Sequence, residues 1–266
     1  MMREVYSDAE EEIVLNYTDL RSGDDLPMVG VLQHLLNRTG AKLVTDGIFG
    51  PKTYAAVIAF QKPRGLVADG IVGEKTWTRL TSGANLPILD SVDIWDPTFL
   101  KEDATYIQRA RGNPSLIGGM CNGVEQAVSL LSGSRGVFLL RFHGHGAPGV
   151  SGVSFGHGEA GYAERAAIFN SPDILATMSR LRPIFGPYGC VQFIACETGR
   201  GRAGRQLLSK LAEKLGVPVT GAVLDQPFGK EWTFRLFGPT VTVTPGGMSL
   251  AQWCKSRPSF AGMTVA

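Results

Sequence analysis

No stretch of this chain approaches the roughly 20 consecutive apolar residues of a membrane-crossing helix, so no membrane span is expected. Charge of one sign is also scarce. The formal net charge is +2, and no basic block or stripe stands out, so nothing calls for nucleic acid as a partner. Residues 199–205 hold three arginines in seven positions, which suits a solvated first helical turn better than an anion site. Cysteines are few: Cys121, Cys190, Cys196 and Cys254. Their spacing forms no CxxC pair and no zinc-finger pattern, so the sequence predicts no metal or other cofactor, and buried thiols are the default for three of them. The opening stretch MMREVYSDAEEEIVL is acidic and lacks the roughly 7–15-residue apolar run of a secretory leader. The expectation is a cytoplasmic product that reaches any envelope by a leaderless route.

What is present is enough for two modest domains. The 266 residues are 44% hydrophobic and 19% charged, so real cores can form. The 34 glycines exceed the usual share of about 7%, and they cluster in turns and around histidines without the collagen period. Residues 1–25 are polar and read as a loose arm. From Val29 the pattern turns helical: Val29, Leu32, Leu35 and Leu36 line one face, and Gly40 stands at the C-terminal cap. An internal repeat follows. The run Asp46-Gly-Ile-Phe-Gly-Pro-Lys-Thr-Tyr54 is echoed at an offset of 23 residues by Asp69-Gly-Ile-Val-Gly-Glu-Lys-Thr-Trp77. Each copy reads as a tight Asp-Gly turn leading into a helix, with an apolar plug between its glycines and an aromatic packing on the next helix. Pro51 suits the first helical position, and Tyr54, Val57, Ile58 and Phe60 form a second apolar face. These repeat residues read as structural rather than as ligand contacts.

The order DGIFGPKT, AVIAFQ, GLVADGIVGEKTW closely resembles the type 1 peptidoglycan-binding domain of many cell-wall hydrolases, over residues 26–82. The resemblance implies a small all-α, three-helix fold that docks on bacterial peptidoglycan. Residues 83–97 are broken by Gly and Pro and read as a linker, although 88–94 also suits a first strand.

Residues 98–266 alternate strand and helix, which predicts an α/β domain with a mainly parallel sheet. Helices are expected over 123–131, 172–181 and 202–215, and buried strands over 136–142, 190–195 and 217–223. Residues 234–244 read as a closing hairpin. Two strands end in reactive residues, one in Phe142-His-Gly-His-Gly146 and the other in Ala195-Cys-Glu-Thr-Gly199. In open α/β sheets, ligands bind beyond the carboxyl ends of the strands. A thiol beside an imidazole there becomes a nucleophilic thiolate, and a helix starting near Gly201 would help.

This pairing resembles the caspase-like cysteine peptidases, the group of caspases, legumains, gingipains and separases. Ala-Cys-Glu-Thr-Gly looks most like the legumain form, and His145 precedes Cys196 by 51 residues, near the roughly 50 of caspases. The resemblance implies that Cys196 attacks a carbonyl carbon and His145 moves the proton. It further implies that the backbone N–H groups of Gly146 and Cys196 form the oxyanion hole. His143 also stands before a glycine and is the alternative base. Glu197 and Asp225 are candidates for the specificity pocket, against ordinary surface carboxylates.

Three rival readings compete. His143, His145 and His157 supply three imidazoles for a zinc-dependent wall hydrolase, but an HExxH motif is lacking. Gly189-Cys190-Val191 faintly resembles the L,D-transpeptidase motif without its Ser-His. The α/β domain also suits a degenerate, non-catalytic module. The preferred expectation is a peptidoglycan-targeted cysteine peptidase acting on protein or peptide substrate, in the setting of an envelope-directed bacterial or phage effector.

Overall fold

A computed structural model describes residues 19–81, 90–96, 122–154, 163–227, 229 and 232–258. Most of the expected arm, the linker up to residue 89, Cys121 and His157 lie outside these residues.

The N-terminal unit holds three helices, α1 (Pro27–Arg38), α2 (Pro51–Gln61) and α3 (Glu74–Thr81). Proline stands at the start of α1 and α2, where its missing N–H costs no helical hydrogen bond. The repeat has a duplicated hydrogen-bond core. Gln33 Nε2 donates to Asp46 Oδ1 (2.8 Å), the Ile48 carbonyl (3.0 Å) and Thr53 Oγ1 (3.2 Å). Gln61 Nε2 donates to the same set one repeat later: Asp69 Oδ1 (3.2 Å), the Ile71 carbonyl (2.9 Å) and Thr76 Oγ1 (3.2 Å). Each buried amide thus ties its turn to the following helix, and the shared Asp, Gly, Ile and Thr are explained as architecture.

Between the glycines, the second apolar residue plugs the core: Phe49 and Val72 are buried. Ile48, by contrast, is exposed. Trp77 is buried, whereas Tyr54 is exposed and lies across Gly70, where an added Cβ would meet its ring at 2.1 Å. Residues 19–25, read from the sequence as the end of an arm, belong to this unit. Leu20 is buried and exchanges backbone hydrogen bonds with Val72 (3.2 and 2.9 Å).

The second unit is built on a five-stranded sheet. Its strands are β1 (Asp90–Ile94), β2 (Val137–His143), β6 (Phe185–Ile194), β7 (Val219–Ala222) and β8 (Thr240–Val243), side by side in that order. The first four run parallel, and β8 is antiparallel to β7. The expected hairpin over 234–244 therefore supplies only β8, whose partner is β7; residues 232–239 pass along the sheet without pairing as a strand. β6 begins at Phe185, before the expected start at Cys190, because Val137 pairs with Phe185 before the register shifts to Leu139 and Cys190. The smaller strands β3 (Gly146–Ala147), β4 (Val150–Gly152) and β5 (Ala167–Phe169) form a separate antiparallel sheet.

One face of the large sheet is covered by α4 (Gly123–Leu131), α5 (Pro172–Ser179) and α6 (Gly201–Leu215). Leu207, Leu208, Leu211 and Leu215 of α6 pack there on Val191, Phe193 and Val219; each burial is worth about 2 kcal/mol. The other face is covered by the N-terminal unit itself. Phe138, Leu139, Tyr188 and Cys190 belong to the same apolar cluster as Leu32, Leu36, Phe60 and Trp77. The C-terminal helix α7 (Leu250–Ser256) seals this join and starts with a capping box between Ser249 and Gln252. Cys254 sits so close to α1 that an added Cβ on Gly30 would lie 2.6 Å from its sulfur.

Candidate functional site

Parallel pairing sets the site. β2 and β6 are neighbours, with His143 opposite Ile194, and beyond them Gly144 N donates to the Ile194 carbonyl (3.2 Å). The chain after β2 then turns into the β3–β4 hairpin, where Gly152 N donates to the His145 carbonyl (2.7 Å). The chain after β6 turns through Cys196, Glu197 and Thr198 into α6. Glu197 has φ +50°, a left-handed conformation uncommon for a residue with a Cβ.

The two turns are laced together. Gly149 N donates to the Thr198 carbonyl (3.2 Å), and Thr198 Oγ1 donates to the Val150 carbonyl (3.1 Å). Gly146 lies directly on the Cys196 turn: an added Cβ would fall 2.2 Å from the Cys196 carbonyl oxygen. Only glycine permits that approach. On the other side, Glu197 N donates to the Leu224 carbonyl (3.1 Å) and Gly199 N to the Ala222 carbonyl (2.8 Å).

Cys196 is half-buried, and its sulfur accepts the backbone N–H of Gln226 at 3.2 Å. Gln226 is missing from the sequence reading, because nothing local marks it. His145 is exposed in the loop beside this turn. His143 is sealed inside instead, 1% exposed, with Nε2 2.6 Å from Asp93 Oδ1. The two imidazoles therefore lie in different environments, as the alternation of an extended segment directs.

Asp93 is the second residue that sequence reasoning missed. It accepts Arg141 Nε on Oδ1 (2.5 Å) and Arg141 Nη2 on Oδ2 (3.0 Å), and both side chains are 0% exposed. Burial alone would raise the Asp93 carboxyl, but the Arg141 guanidinium and the His143 hydrogen bond hold it below its ordinary range. Phe234 covers the group: its ring lies under the guanidinium at 4.8 Å and edge-on to His143 at 6.1 Å. The available signal was a charge inside each apolar run, Val-Asp-Ile-Trp and Leu-Leu-Arg-Phe.

Of the specificity candidates, Glu197 forms an ion pair with Arg200, and Asp225 is exposed. Among the described residues, no group of three or more His, Cys, Asp or Glu side chains is arranged to hold a metal. Burial pushes the Cys190 thiol up to about 12, and the sulfur faces the Phe138 carbonyl at 3.5 Å in the core.

Residues 26–80 match the family described as putative peptidoglycan binding domain. This match ends before the large sheet begins. Two solved structures are each similar over about a quarter of the chain. A Burkholderia AP3 phage endolysin is 48% identical over 27% of this chain and 28% of its own, with a TM-score of 0.25. A peptidoglycan-binding protein from Clostridioides difficile, in complex with glutamine hydroxamate, is 40% identical over 25% of this chain and 42% of its own, with a TM-score of 0.24. The chain thus spans less than half the length of either. No curated protein matches it. Among the described residues, no helix is long and apolar enough to cross a membrane.

Proposed function

We propose that this protein docks on peptidoglycan through its N-terminal unit and cleaves peptide bonds with Cys196, using a caspase-like arrangement of the α/β unit. The match over residues 26–80 supports the docking. One observation carries the chemistry: the His145 loop and the Cys196 turn are the tips of adjacent parallel strands, pressed together at Gly146. In the proposed reaction, the Cys196 thiolate adds to the scissile carbonyl carbon. The C–N bond breaks, the protonated His145 imidazole gives its proton to the leaving amine, and water hydrolyses the thioester to the acid. N–H groups of Gly146 and Cys196 are the proposed oxyanion donors.

A peptidyl chloromethyl ketone tests the dyad, with purified sacculi as substrate. Wild type is expected to be alkylated at Cys196 and to release peptides. His145→Ala is expected to lose about 100-fold in both, and so is Gly146→Ala, whose Cβ must displace the Cys196 turn. Labelling indifferent to His145→Ala, with no peptide release by wild type, refutes the dyad. Docking is tested separately by sedimentation with sacculi: Cys196→Ala should still pellet, and recovery no better than a control protein refutes it.

A further inference from the structure

We propose that Gln226 is a positioning residue for Cys196, its side chain clamping the 224–226 segment so that its own backbone N–H stays on the sulfur as the thiolate forms. This rests on the reading of Cys196 as nucleophile. The Gln226 amide spends all its bonds on main chain. Nε2 donates to the carbonyls of Leu224 (2.9 Å) and Phe237 (3.1 Å), and Oε1 accepts from Phe237 N (2.8 Å). Gln226 is only 9% exposed. The segment carrying Phe237 is itself pinned: Trp232 packs edge-on to Phe237 at 5.0 Å, and Arg235 Nη2 donates to Asp24 Oδ1 of the N-terminal unit at 3.3 Å.

The result is a backbone N–H held 3.2 Å from Sγ. A thiol sulfur is a weak acceptor, so this is a poor use of a backbone donor for stability alone. Once the sulfur is anionic, the same contact becomes charge-assisted and roughly doubles in strength. The Gln226 carbonyl also faces the sulfur, at 4.0 Å, as acceptor for the thiol hydrogen, so the shorter N–H contact is the one that strengthens when the sulfur becomes anionic. Other charged or titratable groups around this turn are His145, the Glu197–Arg200 pair, Asp225, and the Asp93–Arg141–His143 group on β1 and β2.

The test is the rate at which iodoacetamide alkylates Cys196 in the full chain, followed on the Cys196 peptide by mass spectrometry. A His145→Ala background removes the nearby imidazole. Gln226→Ala is expected to slow alkylation about tenfold at about pH 7, and by less than about twofold at about pH 10, above the ordinary range for cysteine thiols. Should Gln226→Ala not fold, Gln226→Met keeps the volume without a charge, loses the three side-chain bonds, and should show the same pH-selective loss. No loss, or an equal loss at both pH values, overturns the proposal. Peptide hydrolysis is not read in this assay, so its failure leaves the dyad standing, and failure of the dyad does not decide it.

Discussion

Removing the Asp93 carboxylate is the most demanding test of the packing around the site. Asp93 accepts a two-pronged contact from Arg141 and a third hydrogen bond from His143, with all three side chains at most 1% exposed. Asp93→Ala removes the buried carboxylate that faces the guanidinium, and breaking such a pair costs about 3–5 kcal/mol. For a chain of this size that corresponds to a fall of roughly 10 °C in Tm. Urea unfolding measures it, with an unchanged slope showing that the folded state is still compact. The double variant Asp93→Leu/Arg141→Met removes both charges and should recover most of the loss, since an apolar replacement of a buried pair is often near neutral. Acid gives a matching sign. The folded carboxyl is held below its ordinary range, so its contribution is complete above the unfolded value of 3.8 and fades as the pH falls through the lower, folded value. A loss under about 1 kcal/mol in Asp93→Ala, or a double variant no better than the single, would refute the reasoning.

Two further outcomes are expected. Gln33→Ala and Gln61→Ala each strand buried backbone donors and acceptors of one repeat turn, and each should lower stability by about 3 kcal/mol in thermal melts; a large effect at one site with none at the other would deny the internal symmetry. Burial pushes the Cys190 and Cys254 thiols up to about 12 from 9.0, so unfolded thiols ionise first and stability falls as the pH rises between those values. A Cys190→Ala/Cys254→Ala variant should lose less than wild type when urea midpoints at about pH 9 and pH 11 are compared.

Much of the local architecture is legible in the residues. The helix face of Val29, Leu32, Leu35 and Leu36 is buried, and the apolar runs around Leu140 and Phe193 are strands of the sheet. Local pattern failed at Tyr54, whose ring covers Gly70 from outside instead of entering the core, and at residues 234–239, where Phe234 covers Arg141 and His143 and the segment does not pair as a strand. Each miss turns on a partner distant along the chain. Gln226 shows this most sharply, since its role comes from three hydrogen bonds to the backbone of Leu224 and Phe237.

The sequence by itself determined which residues turn, which form amphipathic helices and which end two strands in His-Gly and Ala-Cys, because those properties follow from periodicity and from the chemistry of neighbours in the chain. Only the tertiary structure decided that β2 lies beside β6, that His143 turns inward to Asp93 while His145 stays outside, and that the N-terminal unit covers one face of the sheet through Phe138, Leu139, Tyr188 and Cys190. The physical reason is that strand order and face coverage are set by which apolar surfaces bury one another across long loops, and no local spacing records that choice.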